Sequence, residues 1–379
     1  VAGGDVLVVD LQIRRQIEDT TSDYDAIERE RGNSVHATPL HAEWQGKKFN
    51  IIDTPGYLDF NAEALGSMIA CDFAMIVVSA HNGAQVGTDL VWDFATRFGI
   101  PKVIVLNDMD DEAADFDTVV ADIRSHFGER VFPVTIPLNP GLGFNQILDV
   151  VEKRIDTYAT DGSGKFESVP ATGEHQATVD EQHEKFIEFV AESDEPLMEK
   201  FFEQGSLSDD EMHGGMHRGF QEQSYIPLFV TSAIGNIGVT ELMDFVAQFG
   251  SSPIDRQTVT AKNDDDQDVR VSINDSETSI LVFKTIHEDQ VGELSLFRVY
   301  SGKIKPGDEL TNASNGNTER IGQMYSLNGK MRDHVDALGA GDIGALVKLK
   351  HTHTGDSLCS PSRVVKLPRV EYPRPNIHS

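Results

Sequence analysis

Two short apolar runs constrain the fold of this chain more than any other feature. Asp72 to Ser79 and Lys102 to Asn107 are bounded by turn residues, and neither alternates apolar with polar positions. Strands buried on both faces read this way. Between them Val86, Leu90, Val91, Phe94, Ala95 and Phe98 recur at helical spacing. Strand, helix, strand with fully apolar strands predicts a parallel sheet covered by helices.

The rest of the chain extends that pattern. Residues 1–20 hold an apolar patch and a mixed charged stretch, Leu11 to Glu18, of helical character. Thr20 to Val35 is polar, charged and Gly-punctuated, and predicts a loop. Val35 to Trp44 and Phe49 to Asp53, joined through Gln45-Gly46-Lys47-Lys48, predict a β-hairpin. Phe116–Phe127, Phe144–Ile155 and Val179–Phe202 predict helices, with loop over 157–178. Tyr225–Thr231 predicts another buried strand and Val239–Phe249 a closing helix. The polar, acidic stretch 257–277 predicts a linker. From Thr278 the pattern changes to short strands (280–285, 293–300, 309–312, 318–325, 343–350) with tight turns between them, which predicts a small antiparallel barrel.

Candidate chemistry lies at the strand ends. Phe49 to Asp53 runs out at a carboxylate, turns through Thr54-Pro55-Gly56 and enters a helical stretch. Such an Asp can hold a magnesium ion, and a glycine amide can approach a phosphate oxygen closely. As a bare pattern Asp-x-x-Gly is common, and a plain strand-turn-helix connection is its commoner meaning. Ser34, in Arg31-Gly32-Asn33-Ser34, offers a hydroxyl to complete a metal shell. Asn107-Asp108-Met109-Asp110 follows a buried strand, at the edge where open α/β sheets bind ligands, and Ser232-Ala233 follows the strand ending at Thr231. Asn107 suits a purine, and Asp110 can accept from the N1 and N2 donors that guanine presents and adenine does not. Taken singly, Asn and Asp after strands are more often helix caps. All four pieces in this order favour a site. His36, His41, His351 and His353 have no metal-like grouping, and Glu28 to Arg31 offer only exposed ion pairs of small value.

Composition narrows the class. The 379 residues exceed one ordinary domain, and 39% hydrophobic content supports real cores. No apolar run approaches the roughly 18–20 residues of a membrane span, and the N-terminus lacks the basic region of a signal peptide. With only Cys71 and Cys359, buried thiols in a reducing cytoplasm are expected. Sixty-two acids against 32 bases give a net charge of −30, which disfavours direct, sequence-specific nucleic-acid binding and suits a solubilising surface.

The four motifs resemble a known set. Arg-Gly-Asn-Ser at 31–34, Asp-Thr-Pro-Gly-Tyr-Leu-Asp-Phe at 53–60, Asn-Asp-Met-Asp at 107–110 and Ser-Ala-Ile-Gly-Asn-Ile-Gly-Val at 232–239 are similar to switch I, switch II and the two guanine-binding motifs of translational GTPases. Phe297-Arg298-Val299-Tyr300-Ser301-Gly302, Pro306-Gly307-Asp308 and Ala340-Gly341-Asp342-Ile343 resemble the barrel domain of elongation factor G. The resemblance implies a P-loop-type GTPase domain over 1–256 with an insert at about 140–224, a linker at 257–277, a β-barrel over 278–367 and the start of a third domain over 368–379. It implies GTP or GDP with Mg2+, ribosome-coupled hydrolysis promoting translocation, a cytoplasmic monomer and the ribosome as partner. Asp53 and Ser34 would serve the metal, Gly56 would sense the terminal phosphate and Tyr57 would orient water. Asn107, Asp110, Ser232 and Ala233 would form the guanine pocket.

Three departures qualify it. No Gly-x-x-x-x-Gly-Lys-Ser/Thr occurs anywhere, so the first strand and phosphate loop are expected to be missing, by truncation or by loss. Tyr57 replaces the histidine usual in the family, and a phenol cannot become a cation near neutral pH. Asp108 replaces the lysine whose stem packs over the base, which predicts weaker guanine affinity. A non-hydrolysing ribosome- or factor-binding module and a ribosomal-protection or release-type relative are the alternatives.

Overall fold

The computed structural model describes residues 5–11, 20–288 and 292–372. The described residues divide into two compact units, one holding residues 5–9, 20–72 and those from 252 onward, the other residues 10–11 and 73–251. The charged stretch read as helical at the N-terminus falls largely outside the described residues. In the first unit the chain forms β1 (Asp5–Leu11), α1 (Ala26–Arg31), β2 (Thr38–Trp44), β3 (Lys47–Pro55) and α2 (Asn61–Met68). The first strand, expected to be missing, has a counterpart: the valine-rich run Val6 to Val9 lies within β1, which sits beside β3. β2 and β3 pair antiparallel from Thr38 opposite Asp53 to Trp44 opposite Lys47. Their two-residue turn places Gln45 and Gly46 at φ 48° and 73°, the left-handed pair that matches strand twist.

The segment read as a loop over 20–35 contains α1. Asp25 accepts from the Ile27 amide, Glu28 reaches back to the Asp25 amide, and Gly32 closes the helix in the left-handed region. Asp25-x-x-Glu28 is a capping box, a signal present in the sequence.

In the second unit β4 (Phe73–Ser79), α3 (Val86–Arg97), β5 (Lys102–Asn107) and α4 (Phe116–Phe127) follow in the expected order. β6 (Val131–Pro133) leads into an antiparallel sheet of β7 (Thr135–Pro137), β8 (Gln146–Asp149), β9 (Arg154–Tyr158) and β10 (Phe166–Pro170), ordered β10-β9-β8-β7. The expected helix over 144–155 is therefore a hairpin. Ile147 and Leu148 are buried in β8, and Asp149 Oδ1 accepts the amides of Val151 and Glu152, which turns the chain. The expected helix 179–202 is two, α5 (Gln176–Ala191) and α6 (Glu195–Gln204), separated where Pro196 starts the second. Then come α7 (Asp209–Glu222), β11 (Ile226–Val230) and α8 (Val239–Phe249). β4, β5, β11 and β6 are neighbours in that order, paired in parallel, and all five residues of β11 are buried.

This unit buries a carboxyl. Glu241 on α8 is 4% exposed and accepts a hydrogen bond from the Tyr158 hydroxyl on β9. Burial, offset in part by that bond, pushes Glu241 up to about 7. The folded pKa lies above the unfolded one, so the protonated form favours folding, and that stability is lost as pH rises through 7. Unfolding free energy should therefore fall by about 3 kcal/mol between pH 4.5 and 8. Asp149, raised to about 6 by burial, acts in the same direction. Denaturant titrations across this range check it: Glu241→Gln should remove the Glu241 share of the slope, while Asp149 and Asp53, both also raised by burial, keep the rest.

Residues from 252 onward return to the first unit. The expected linker is itself a hairpin, β12 (Thr258–Lys262) with β13 (Asp268–Ser272), its acidic residues 264–266 in the turn. β14 (Ser279–Glu288) and β15 (Gly292–Ser301) lie at the centre of an eight-stranded antiparallel sheet with strands at Glu309–Asn312, Thr318–Arg320, Met324–Asn328, Met331–His334, Ile343–Val347 and Ser357–Cys359. Ile280, Val282, Phe297, Val299, Leu310, Met324 and Leu358 belong to its core. Side chains of β15, and Arg256 from the short helix before β12, satisfy the carbonyls beyond α2. Tyr300 Oη donates to Ile69 O at 2.6 Å, Arg298 to Ala70 O at 2.9 Å and Arg256 to Cys71 O at 2.8 Å, while Arg298 also pairs with Asp72 at 2.6 Å. Helix C-termini leave such carbonyls unpaired, and cations suit the negative end of the dipole.

Candidate functional site

The metal-side residues lie in the first unit. Asp53 is 3% exposed near the end of β3, and its Oδ1 has no hydrogen-bond partner. Burial pushes its carboxyl up to about 7; the Ser22 hydroxyl opposes this, while Asp23 and Glu28 add repulsion. A buried carboxylate with an open oxygen and acidic neighbours calls for a cation. Asn33 Oδ1 is likewise buried and without a partner, and Ser34 is 9% exposed. These oxygen donors fit a hard cation such as Mg2+, which is commonly held by one or two side chains together with water and phosphate oxygens.

Past Asp53 the chain leaves the core quickly. Gly56 is half-buried, Tyr57 is 44% exposed, and a short 3-10 turn over Leu58–Phe60 leads into α2. The Tyr57 carbonyl accepts the Phe60 amide at 2.9 Å. The Arg31 guanidinium lies 5.3 Å from the centre of the Phe60 ring, which links the end of α1 to this turn through a cation–π contact.

Glu28, read from the sequence as one of several exposed charges, is 2% exposed. Its carboxylate accepts the amides of Asp25 at 3.2 Å and of Val35 and His36 at 3.0 Å each. It therefore orders the chain on both sides of Ser34. Glu28→Ala leaves these donors unsatisfied, and destabilisation of about 3 kcal/mol is expected, with faster hydrogen exchange at Val35 and His36.

The base-side residues lie in the second unit. Asn107 ends β5, 1% exposed. Its Oδ1 accepts the Thr231 hydroxyl at 3.0 Å and the Ala233 amide at 2.9 Å. The Met109 amide donates to Thr231 O at 3.1 Å. The Asn107–Asp110 turn and the loop after β11 are thus one hydrogen-bonded structure. Ser232 is buried and spends its hydroxyl as acceptor for the Gly235 amide at 3.0 Å, which shapes the loop that presents Ala233. Gly238 then enters α8 at φ 75°, where a Cβ would lie 2.2 Å from Val230 O; only glycine fits. Asp110 is half-buried on the same turn. Thr231, which fixes the Asn107 carboxamide, was not among the sequence candidates; a hydroxyl directly before Ser-Ala was its only signal.

Asp108 adopts φ 65°, a left-handed conformation that Asp tolerates better than most residues. Its carboxylate accepts from Asn107 Nδ2 at 2.7 Å. The amide donor expected to meet a purine therefore has a competitor within the protein.

Residues 5–252 match the family model of the elongation factor Tu GTP binding domain, so the chain belongs to the translational GTPase family. Residues 277–361 match elongation factor G domain 2, which makes it an elongation-factor-G-like member. Its fold is similar to that of a Thermus thermophilus protein known from a crystal structure, with a TM-score of 0.84 at 24% identity. That match covers 100% of this chain and 57% of the Thermus chain. No described helix is long and apolar enough to cross a membrane.

Proposed function

We propose that this chain is the guanine-nucleotide and barrel portion of an elongation-factor-G-like GTPase, which binds GTP with Mg2+ and couples its hydrolysis to translocation on the ribosome in the cytoplasm. The observation that carries this reading is the Asn107 carboxamide, fixed by Thr231 and Ala233 beside Asp110. Asp110 would accept from guanine N1 and N2. Asp53 and Ser34 would hold the metal, whose charge neutralises the developing negative charge in phosphoryl transfer. The Gly56 amide would face the terminal phosphate. Tyr57, exposed one residue beyond, would orient the attacking water through its phenol. In this reading the domains divide at 256 and 278 as the sequence suggests.

A second reading, a non-hydrolysing ribosome- or factor-binding module, is favoured by one feature: Asp108 stands in the lysine position. Hydrolysis separates the two. Ribosome-stimulated GTP turnover is expected for the complete protein. Tyr57→Phe should lower it by about tenfold to a hundredfold, the range of a lost water-positioning group, and Tyr57→His should raise it. Equal rates for Tyr57→Phe and wild type would remove Tyr57 from the mechanism, and no turnover at all would favour the second reading.

A further inference from the structure

We infer that Glu63 and Lys284 are a positioning pair that sets the Ser34 side of the magnesium site, an inference resting on the nucleotide reading above. Ala37, three residues after Ser34, has both of its backbone polar groups engaged by this pair. Its amide donates to Glu63 Oε2 at 2.7 Å, its carbonyl accepts from Lys284 Nζ at 3.1 Å, and Lys284 and Glu63 form an ion pair. The side chains are 13% exposed for Lys284 and 28% for Glu63, so solvent screens the pair less than a surface ion pair.

The surroundings show why Ala37 matters. The amides of Val35 and His36 go to Glu28, and that of Ala37 goes to Glu63. Three consecutive N–H groups after Ser34 are therefore held by two carboxylates, one in α1 and one in the first turn of α2, which follows the Asp53–Gly56 turn. Lys284 ties this arrangement to the barrel strand β14. Its register against β15 shifts between Val282 and Lys284, the kind of bulge that re-aims a side chain. A charge-assisted bond to a main-chain carbonyl is stronger than a neutral one and fixes its geometry. The position of the Ser34 hydroxyl thus depends on a barrel residue distant in sequence. Lys284 touches neither metal nor nucleotide in this account; it acts through the backbone of Ala37.

The test uses the full chain, with GTP binding titrated against Mg2+ and Ala37 amide exchange followed in parallel. In Lys284→Met the Mg2+ concentration for half-maximal GTP binding should rise about tenfold, the value of one charge-assisted bond. GTP affinity at saturating Mg2+ should be unchanged, and Ala37 exchange should be faster. Lys284→Arg should restore both. Glu63→Gln, which keeps an acceptor for the Ala37 amide but removes the negative charge, should shift the Mg2+ dependence in the same direction and serves if Lys284→Met does not fold. Faster Ala37 exchange with an unchanged Mg2+ dependence would show a purely structural pair and overturn the inference. Unchanged Ala37 exchange would overturn it as well. Failure of the wild-type chain to bind GTP at any Mg2+ concentration would overturn the nucleotide reading, and this inference with it.

Discussion

Arg298→Met should destabilise the first unit by about 3–5 kcal/mol, because it strands a buried charge. The Arg298 and Asp72 side chains are 6% and 0% exposed and meet at 2.6 Å. Arg298 also donates to Ala70 O, while its Nε is buried without a partner. The cost comes less from the lost attraction than from Asp72, whose buried carboxylate loses its guanidinium. The double variant Arg298→Met, Asp72→Asn should recover part of the loss, since no charge is left unpaired. Denaturant unfolding of both variants measures the coupling directly. A double variant as unstable as the sum of the singles would mean that the two residues act independently.

Asp110→Asn should change which base the site prefers. A carboxylate opposite guanine N1 and N2 accepts from both donors; a carboxamide offers one acceptor and one donor. Xanthine keeps the N1 donor but carries a carbonyl in place of the 2-amino group, so it matches the carboxamide. GDP affinity should fall about a hundredfold and xanthosine diphosphate binding should rise, because a site built to pair polar groups rejects a base that leaves them unpaired. Asp108→Lys should act oppositely on GDP. It frees Asn107 Nδ2 from its present acceptor and restores a long stem able to pack over the ring.

The helices 116–127 and 239–249 could be read to the residue because chemistry marks their ends. Asp115 accepts from the Thr118 amide, Gly128 closes the first helix, and Gly238 and Gly250 bracket the second. The stretch 144–155 misled because Phe144, Ile147, Leu148, Val151 and Ile155 satisfy helical spacing as well as a hairpin. The decisive residues are Asp149, which nucleates a turn, and Lys153 at φ 52°, and neither has a signature in periodicity. On the site, Asn107, Ser232 and Ala233 were legible as motif letters, and the structure joins them. Glu28, Thr231 and Lys284 were not, since each acts by accepting from or donating to a partner that spacing along the chain does not reveal. Glu28 looked like one more surface acid, and only its burial distinguishes it.

In the proposed reading the Asn107–Asp110 turn and the Ser232–Ala233 loop select guanine. Calorimetric titration of the chain with GDP and ADP in the presence of Mg2+, repeated for Asp110→Asn, tests it most directly. GDP should bind without measurable ADP binding, and the variant should lose that preference. Equal binding of the two nucleotides, or a GDP affinity that Asp110→Asn leaves unchanged, would contradict it.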